Sequence, residues 1–517
     1  MTLAPGPGNL PADRVRPLNE GAVSPGGDYV LYWMVATRRP FDSFALERAV
    51  AWAHRLSRPL LVLEPLALGY PAASPRIHAF VLQGMAANAR AFAARRIAYH
   101  PWVERSPGDG AGLLEELAAR ACVVVTDTWP VPFLGFWQAV AARRVAVAVE
   151  AVDDVGLLPL DAELRVPPTA AVYRRWLQRL LPSALTRPPA HDPAGQVSLP
   201  VLAGLPDAVA QRWPRASQVL LDADEDALAA LPLDAEVKRT TREGGWESAE
   251  ARWQHFRQHR LGAYGDRRNH PGASSGLSPW LHFGHLSSWR LWSDLARDEG
   301  WTVGQLGPPR GQRAGWWGIS PSAEAFLDQV VTWRGLAFQC ARHDPDYYRF
   351  QGLPAWARST LEDHTDDPRA WRYPLEVLTQ AGTHDPIWNA AQRQLVSEGA
   401  IDGYLRMIWG KRLLEWCAHP AEAWGVMHAL NDRWALDGRG PVGTAGIAWV
   451  LGRFDRPWGP ERPVFGKIRY MSSERTAKKL PLAGYLARWA SVEDPPPQRG
   501  SDVVGGPAER AGHERGV

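Results

Sequence analysis

The chain has 517 residues, 45% hydrophobic and 22% charged, with Lys+Arg 58 against Asp+Glu 55 for a formal net charge of +3. That length points to two or three domains with a large buried core and excludes a disulfide-stapled miniature. No uncharged apolar run is long enough for a membrane span, net charge alone does not argue for nucleic acid, and nothing after Met1 reads as a secretory signal, so a cytoplasmic setting is expected.

Residues 1–27 are rich in Pro and Gly and predict a flexible arm. Over 28–158, short apolar runs at 29–35, 60–63, 122–126 and 145–149 alternate with alanine-rich stretches of helical period at 43–56 and 76–94. Buried strands alternating with helices predict an α/β domain built on a parallel sheet. No GxGxxG follows the first strand and no GxxxxGK[ST] occurs, so neither a dinucleotide fingerprint nor a P-loop is present. Prolines dominate 159–240 around one helical segment at 171–181, which reads as an interdomain connection. From 241 to 482 the strand-like runs vanish. Apolar residues recur at three and four spacing over 246–261, 287–298, 323–341, 386–398, 402–417 and 420–433, predicting an all-α domain. The end, 483–517, holds three consecutive prolines and few apolar residues, and predicts a disordered tail.

The outlying residue type is tryptophan, 26 against 13 Phe and 12 Tyr, so large aromatic surfaces must pack in a core, on a planar cofactor, on bases, or along an electron path. Cys122, Cys340 and Cys417 are too far apart for a CxxC pair, and HExxH and EF-hand patterns are absent, so no metal site is expected. His282 and His285 lie three apart without a carboxylate or thiol beside them, which favours packing or hydrogen bonding over ligation. No GxSxG elbow supports a hydrolase. Ser274 to Pro279 precede a helical pattern, placing hydroxyls and free backbone N–H groups where an anionic group can be held, although an ordinary capped helix start has the same look. Basic residues do cluster locally: Arg252, Arg257, Arg260, Arg267 and Arg268 with Asp266, and seven basic residues from Arg456 to Lys479 against Glu461 and Glu474. Such surpluses suit phosphate backbones or solvated faces.

Four stretches make the context specific: Asp385-Pro-Ile-Trp-Asn-Ala-Ala-Gln392, Gly403-Tyr-Leu-Arg-Met407, Leu436-Asp-Gly438 and Arg462-Pro-Val-Phe-Gly-Lys-Ile-Arg-Tyr-Met471. Here the sequence resembles the class II cyclobutane pyrimidine dimer photolyases of the cryptochrome/photolyase family, from Arg16 to Lys479, most specifically in the last hundred residues of that span. The resemblance implies an antenna-type α/β domain, a helical domain holding FAD, and UV-damaged DNA as partner, with no membrane and no obligate protein partner. It places Tyr264, Ser275, Gly276, Leu277, Ser278, Arg406, Asn431, Asp437 and Gly438 at the flavin. In that set a carboxylate–guanidinium pair would orient hydrogen bonds to a reduced flavin, and the Asn431 amide would serve several redox states because it both donates and accepts. Trp388, Trp409 and Trp416 match the family's electron-transfer tryptophans, and with Asn431 they form the expected catalytic set. Arg268, Gln329, Trp333, Met407, Trp449 and Arg469 match positions around the flipped dimer; photolyases are among the named base-flipping enzymes. A second, antenna chromophore of deazaflavin or folate type stays open, since the first domain carries no fingerprint for one.

Three departures stand out: Gln329 replaces a usual Glu, Gly335 replaces a usual acidic residue after Trp333-Arg334, and Trp280 replaces a Tyr after Ser-Pro. They leave open a cryptochrome-like photoreceptor or a photolyase acting on the (6-4) photoproduct. A nucleic-acid-binding module without flavin is the alternative of another class.

Overall fold

The computed structural model describes residues 10–491. Six strands form one sheet: β1 (Val15–Pro17), β2 (Tyr29–Trp33), β3 (Leu60–Leu66), β4 (Ala98–Val103), β5 (Ala121–Asp127) and β6 (Val149–Val152). Their order is β1-β6-β5-β2-β3-β4, parallel throughout except for β1, which runs antiparallel to β6. Every residue of β2 and β5 is buried, because helices cover both faces of a parallel sheet. Val30, Tyr32, Val62, Val123 and Val125 share one core with helix α1 (Phe44–Leu56). Tyr29, Leu31, Trp33, Leu61, Leu63 and Val124 pack on the other face with helices α2 (Leu113–Ala118) and α3 (Pro132–Arg144). The Ser43 hydroxyl caps α1 by accepting from Leu46 N at 3.1 Å.

Three expectations need correction. Ala12–Pro17, expected in a flexible arm, forms a 3-10 turn and strand β1, because the buried Arg14 donates to the Asp153 carbonyl at 3.1 Å and the Leu157 carbonyl at 2.7 Å and so ties the segment to the sheet edge. The last parallel strand lies at Val149–Val152 rather than at 145–149. Of the tail, Ala483–Trp489 is helical and docked, with buried Tyr485 donating to Gln394 Oε1 at 2.9 Å; residues 492–517 lie outside the described residues. Strand β4 was hidden in sequence by its His and Pro; His100 is nevertheless buried, hydrogen-bonded to the Trp213 carbonyl at 3.1 Å.

After β6 the named elements of the described residues are all helical. One rod runs from Pro321–Leu327 through a π-helical turn, Asp328–Trp333, into Arg334–His343. The helices Pro386–Glu398, Gly403–Trp416 and Pro420–Trp434 share a second large core. Asp385 opens the first of these by accepting from Ile387 N and Trp388 N. A buried guanidinium ties the two halves together: Arg76, from the sheet half, donates to the Lys238 carbonyl at 2.9 Å and the Val396 carbonyl at 2.6 Å. No helix among the described residues is long and apolar enough to cross a membrane, and no group of three metal-ligating side chains is found among them.

Candidate functional site

Two helices and the turn after the second supply the central group. Arg406 stands in the Gly403–Trp416 helix, Asn431 near the end of the Pro420–Trp434 helix, and Asp437 in the following turn. The Arg406 guanidinium donates to Asp437 Oδ1 at 3.0 Å and to Asn431 Oδ1 at 3.4 Å, and Asn431 Nδ2 donates to Asp432 Oδ1 at 2.9 Å. Burial pushes the Asp437 carboxyl up, but Arg406, the Ser278 hydroxyl and His282 together hold it below the usual carboxylate range. Ser278 therefore belongs to the same group. Gly438 has a steric reason: a Cβ there would stand 2.8 Å from the Asn431 carbonyl oxygen and 3.0 Å from Asp432 Cα.

The loop before Ser278 works differently from the sequence expectation. The helix it opens, Ser278–His282, has only five residues, too few for a strong dipole, and the positive charge comes from Arg252 instead. Arg252 Nε donates to the Ser275 carbonyl at 2.8 Å, and its guanidinium lies against Gly276, whose φ is 68°. Leu277 is buried in the core, and Tyr264 packs edge-on against Phe256 and Phe326, with centroids at 5.4 and 5.7 Å.

Trp409, Trp388 and Trp416 form a contiguous buried ladder. The Trp388 and Trp409 rings lie parallel with centroids 6.3 Å apart, and Trp388 meets Trp416 edge-on at 5.3 Å. The order in space is Trp409, Trp388, Trp416, so the neighbouring helix supplies the middle member. Trp388 Nε1 donates to the Trp409 carbonyl at 3.0 Å, and Trp409 Nε1 donates to Gln392 Oε1 at 2.9 Å. Gln392 Nε2 is buried without a partner, an unused donor beside the inner indole.

Met407, Trp449 and Arg469 also come together. A Cβ at Gly446, on the Pro441–Val450 helix, would lie 3.6 Å from Met407 Cε, and the Arg469 guanidinium stands 6.0 Å from the Trp449 ring on that helix. Trp333 and Trp449 pack against one core cluster, and the Arg174 guanidinium lies 5.8 Å from the Trp333 ring. Gln329 is half-buried on the π-helical turn, next to Asp328, which Arg174 grips at 3.0 and 3.1 Å. Such turns mark functional segments more often than chance allows. The Gly335 departure has a packing cause, since any side chain there would collide with the Tyr173 hydroxyl.

The first basic cluster is partly consumed inside the fold. Arg257 pairs with Asp294 at 3.1 Å and Arg260 donates to the Gly272 carbonyl, whereas Arg267 and Arg268 make no ion pair among the described residues. In the second, Lys467 pairs with Glu461 at 3.0 Å, while Arg469 lies over Trp458 at 4.8 Å.

Sequence reasoning missed two features. Lys411 is buried beneath the Trp449 ring, 5.4 Å from its centroid, and donates to the Val450 carbonyl at 2.5 Å. Its neighbours in space come from another helix, so no local pattern announced it. A cavity of about 290 Å³ opens at the carboxyl ends of β2, β3 and β4, walled by Trp33, Trp102, Trp129, Phe133, Trp137 and Phe283, with Arg38, Glu104 and Tyr70 as polar points. Open parallel sheets bind ligands at this end, where strand order reverses, here between β2 and β5. His282 and Arg439 border the cavity, and both act electrostatically on the group around Arg406: His282 on Asp437, Arg439 on Asp432.

A comparison with protein-family models gives no match. Among curated proteins, the deoxyribodipyrimidine photo-lyase of Methanothermobacter thermautotrophicus is 31% identical over 495 residues, covering 93% of this chain and 99% of the relative. That of Oryza sativa subsp. japonica is 33% identical, covering 94% and 92%. In fold, the crystal structure of a bacterial class III photolyase from Agrobacterium tumefaciens superposes with a TM-score of 0.63 at 17% identity, over 91% of this chain and 87% of that one. The α/β half with its parallel sheet and the helical half are thus the photolyase architecture, and the chain belongs to the deoxyribodipyrimidine photo-lyase family.

Proposed function

We propose that this photo-lyase, a flavin-dependent DNA-repair enzyme by its family, splits cyclobutane pyrimidine dimers in the manner of the class II enzymes. The observation that carries this reading is the single Gly403–Trp416 helix. It places Arg406 in the buried Asp437–Asn431 group, Met407 against the helix of Trp449, and Trp409 and Trp416 in the tryptophan ladder.

The flavin-side residues suit FAD. The Arg406–Asp437–Asn431 set offers donors and acceptors fixed by a buried ion pair, Gln392 Nε2 is a buried donor still to be used, and Arg252 brings positive charge to the Ser275–Gly276 loop for an anionic phosphate. When bound, reduced FAD supplies a light-driven one-electron donor to the lesion, and the cofactor carries the bond-breaking chemistry. The chain's own work is positioning. Arg406 keeps Asp437 ionised and Asn431 oriented, Gly438 leaves room beside the amide, and Trp409 lies within electron-transfer contact of Trp388. Trp333 and Trp449 offer ring faces for a flipped base pair, Arg268 and Arg469 offer unpaired guanidinium groups for phosphates, and Gln329 offers an amide to the pyrimidine edge. No general acid or base is required for the central step. In the sheet half, the cavity walled by tryptophans suits a planar polycyclic antenna chromophore of the deazaflavin type better than a long flexible one.

The test is illumination of the flavin-reduced enzyme on DNA carrying either a cyclobutane dimer or a (6-4) photoproduct. Restoration of the first alone is expected; restoration of the second alone would replace the lesion in this proposal.

A further inference from the structure

We infer that Trp371 is the surface terminus of the electron path that begins at Trp409, and that a small soluble thiol meets the path there. The inference rests on the proposed role of the Trp409–Trp388–Trp416 ladder and extends it outward.

The ladder does not stop at Trp416. Its ring meets Tyr373 edge-on at 5.2 Å and His384 at 5.6 Å. Trp371 then stacks on His384 at 4.4 Å, with planes 21° apart, and lies parallel to Tyr373 at 6.4 Å, with planes 2° apart. The inner three tryptophans are buried, whereas Trp371 is 51% exposed. The pair between them is locked: Tyr373 Oη and His384 Nδ1 are 2.5 Å apart, and His384 N donates to Tyr373 Oη at 3.2 Å. An exposed ring is ordinary by itself; what sets this one apart is its place at the end of a continuous aromatic stack. This one is held in a stack with half of its surface in water, and its indole N–H makes no hydrogen bond among the described residues.

The step balances as a one-electron transfer. Once Trp416 has given an electron inward, it takes one from Trp371 across Tyr373 and His384. The Trp371 radical cation releases its indole proton to water. A thiol returns one electron and one proton to Trp371, and the thiyl radicals left by two turnovers join as a disulfide. An exposed end makes the charge separation last, because the oxidised ring is refilled from solution.

The experiment illuminates the oxidised holoenzyme with a nitroso spin trap and maps the adduct by peptide mass spectrometry. Flavin photoreduction is followed against dithiothreitol concentration in wild type, Trp371→Phe, Trp371→Tyr and Trp409→Phe. The expected result is an adduct on Trp371 in the wild type, its loss together with loss of the thiol dependence in Trp371→Phe, and recovery of the thiol dependence in Trp371→Tyr, which is still oxidisable. An adduct confined to Tyr373 or Trp416, with unchanged thiol dependence in Trp371→Phe, would overturn the inference and leave the inner ladder standing. Normal photoreduction by Trp409→Phe would instead overturn the ladder itself, and this extension with it.

Discussion

The helical half contains two tryptophan ladders. One is Trp409–Trp388–Trp416; the other runs Trp289–Trp292–Trp301–Trp317–Trp316 with centroid separations of 5.6, 5.6, 6.3 and 4.9 Å. By ring spacing the second is the better wire, longer and just as close. Its ends differ. Trp289 meets Phe44 of the sheet half at 5.9 Å and donates to the Gly156 carbonyl, so that end is a domain joint. At the other end the Trp316 and Trp317 amides donate to Glu324, which pins a loop. None of its members stands on the Gly403–Trp416 helix, which carries Arg406 together with Trp409 and Trp416 of the first ladder. Proximity of aromatic rings is thus a packing outcome that becomes an electron path only where one end faces a redox partner.

The largest contrast is expected in photoreduction. Trp409→Phe keeps most of the packing volume but is much harder to oxidise, so oxidised flavin should no longer photoreduce, while repair by chemically reduced enzyme persists. Trp301→Phe removes the hydrogen bond from Trp301 Nε1 to the Trp317 carbonyl, so it should cost roughly 1–2 kcal/mol of stability and leave photoreduction unchanged. Transient absorption and thermal unfolding on both variants check this, and a photoreduction defect in Trp301→Phe would erase the distinction between the ladders. Next in size is Asp437→Ala. It leaves the partly buried Arg406 without its carboxylate, a loss of up to about 3 kcal/mol, and purified protein should show a much reduced flavin-to-protein absorbance ratio. A full complement of flavin in this variant would detach the first ladder from its proposed partner.

How much of this was legible differed between the halves. Buried parallel strands are near-continuous apolar runs, so β2, β3 and β5 could be read from sequence, but β1 and β4 could not: β1 is a short, largely exposed edge strand placed by pairing with β6 far along the chain, and β4 breaks its apolar run with His100 and Pro101. Helices announced themselves through caps such as Asp385 and Ser43. The Arg406–Asp437–Asn431 group was legible because motif residues at 403–407 and 436–438 carried a family resemblance. Spacing alone would not have separated Trp409 and Trp416 from the other 24 tryptophans, and it placed the middle member, Trp388, only loosely. The cavity in the sheet half, Lys411 and the stack ending at Trp371 were illegible because each is assembled from segments remote in sequence.

Lys411 sharpens the contrast on the helix that bears the first ladder, since the second has no buried lysine against it. Burial pushes its ammonium down to about 7, and the attraction of Asp455 only partly opposes this. Between about pH 7 and the ordinary lysine value near 10.4, the unfolded chain keeps a proton that the folded chain has released, so this residue makes stability rise with pH across that window. Below it, both states are protonated and the folded state bears the full cost of the buried charge. Lys411→Met should therefore raise stability by roughly 2–3 kcal/mol in mild acid, net of the hydrogen bond lost to the Val450 carbonyl, with the advantage fading toward about pH 10. Thermal midpoints of both proteins across that range check this; parallel curves would show that Lys411 titrates normally. Because the same side chain lies under Trp449, a simultaneous fall in dimer affinity would mark a stability cost retained for lesion binding.

The smallest effect is expected at Gln329. The residue sits half-buried on the π-helical turn, four positions before Trp333, and its neighbour Asp328 already occupies the Arg174 guanidinium. A carboxylate here could accept a charge-assisted bond from a pyrimidine imide N–H. The amide accepts a weaker one and presents a competing donor. The difference between the two kinds of bond is about 1 kcal/mol, or about fivefold in Kd. Gln329→Glu brings a second negative charge beside Asp328, and Arg174 cannot serve both; Arg268, which makes no ion pair among the described residues, is the candidate guanidinium to balance it. The substitution should therefore tighten binding of dimer-containing DNA about fivefold at low salt and raise repair per absorbed photon, while binding to undamaged DNA falls slightly from the lost positive potential. Gln329→Met separates the contributions: it keeps the volume, removes both hydrogen-bonding functions, and should weaken dimer binding below the wild type. Equal dimer affinity for all three proteins would place Gln329 outside the lesion contact. Tighter binding without a gain in repair yield would show that the residue holds the pyrimidine edge and takes no part in dimer splitting.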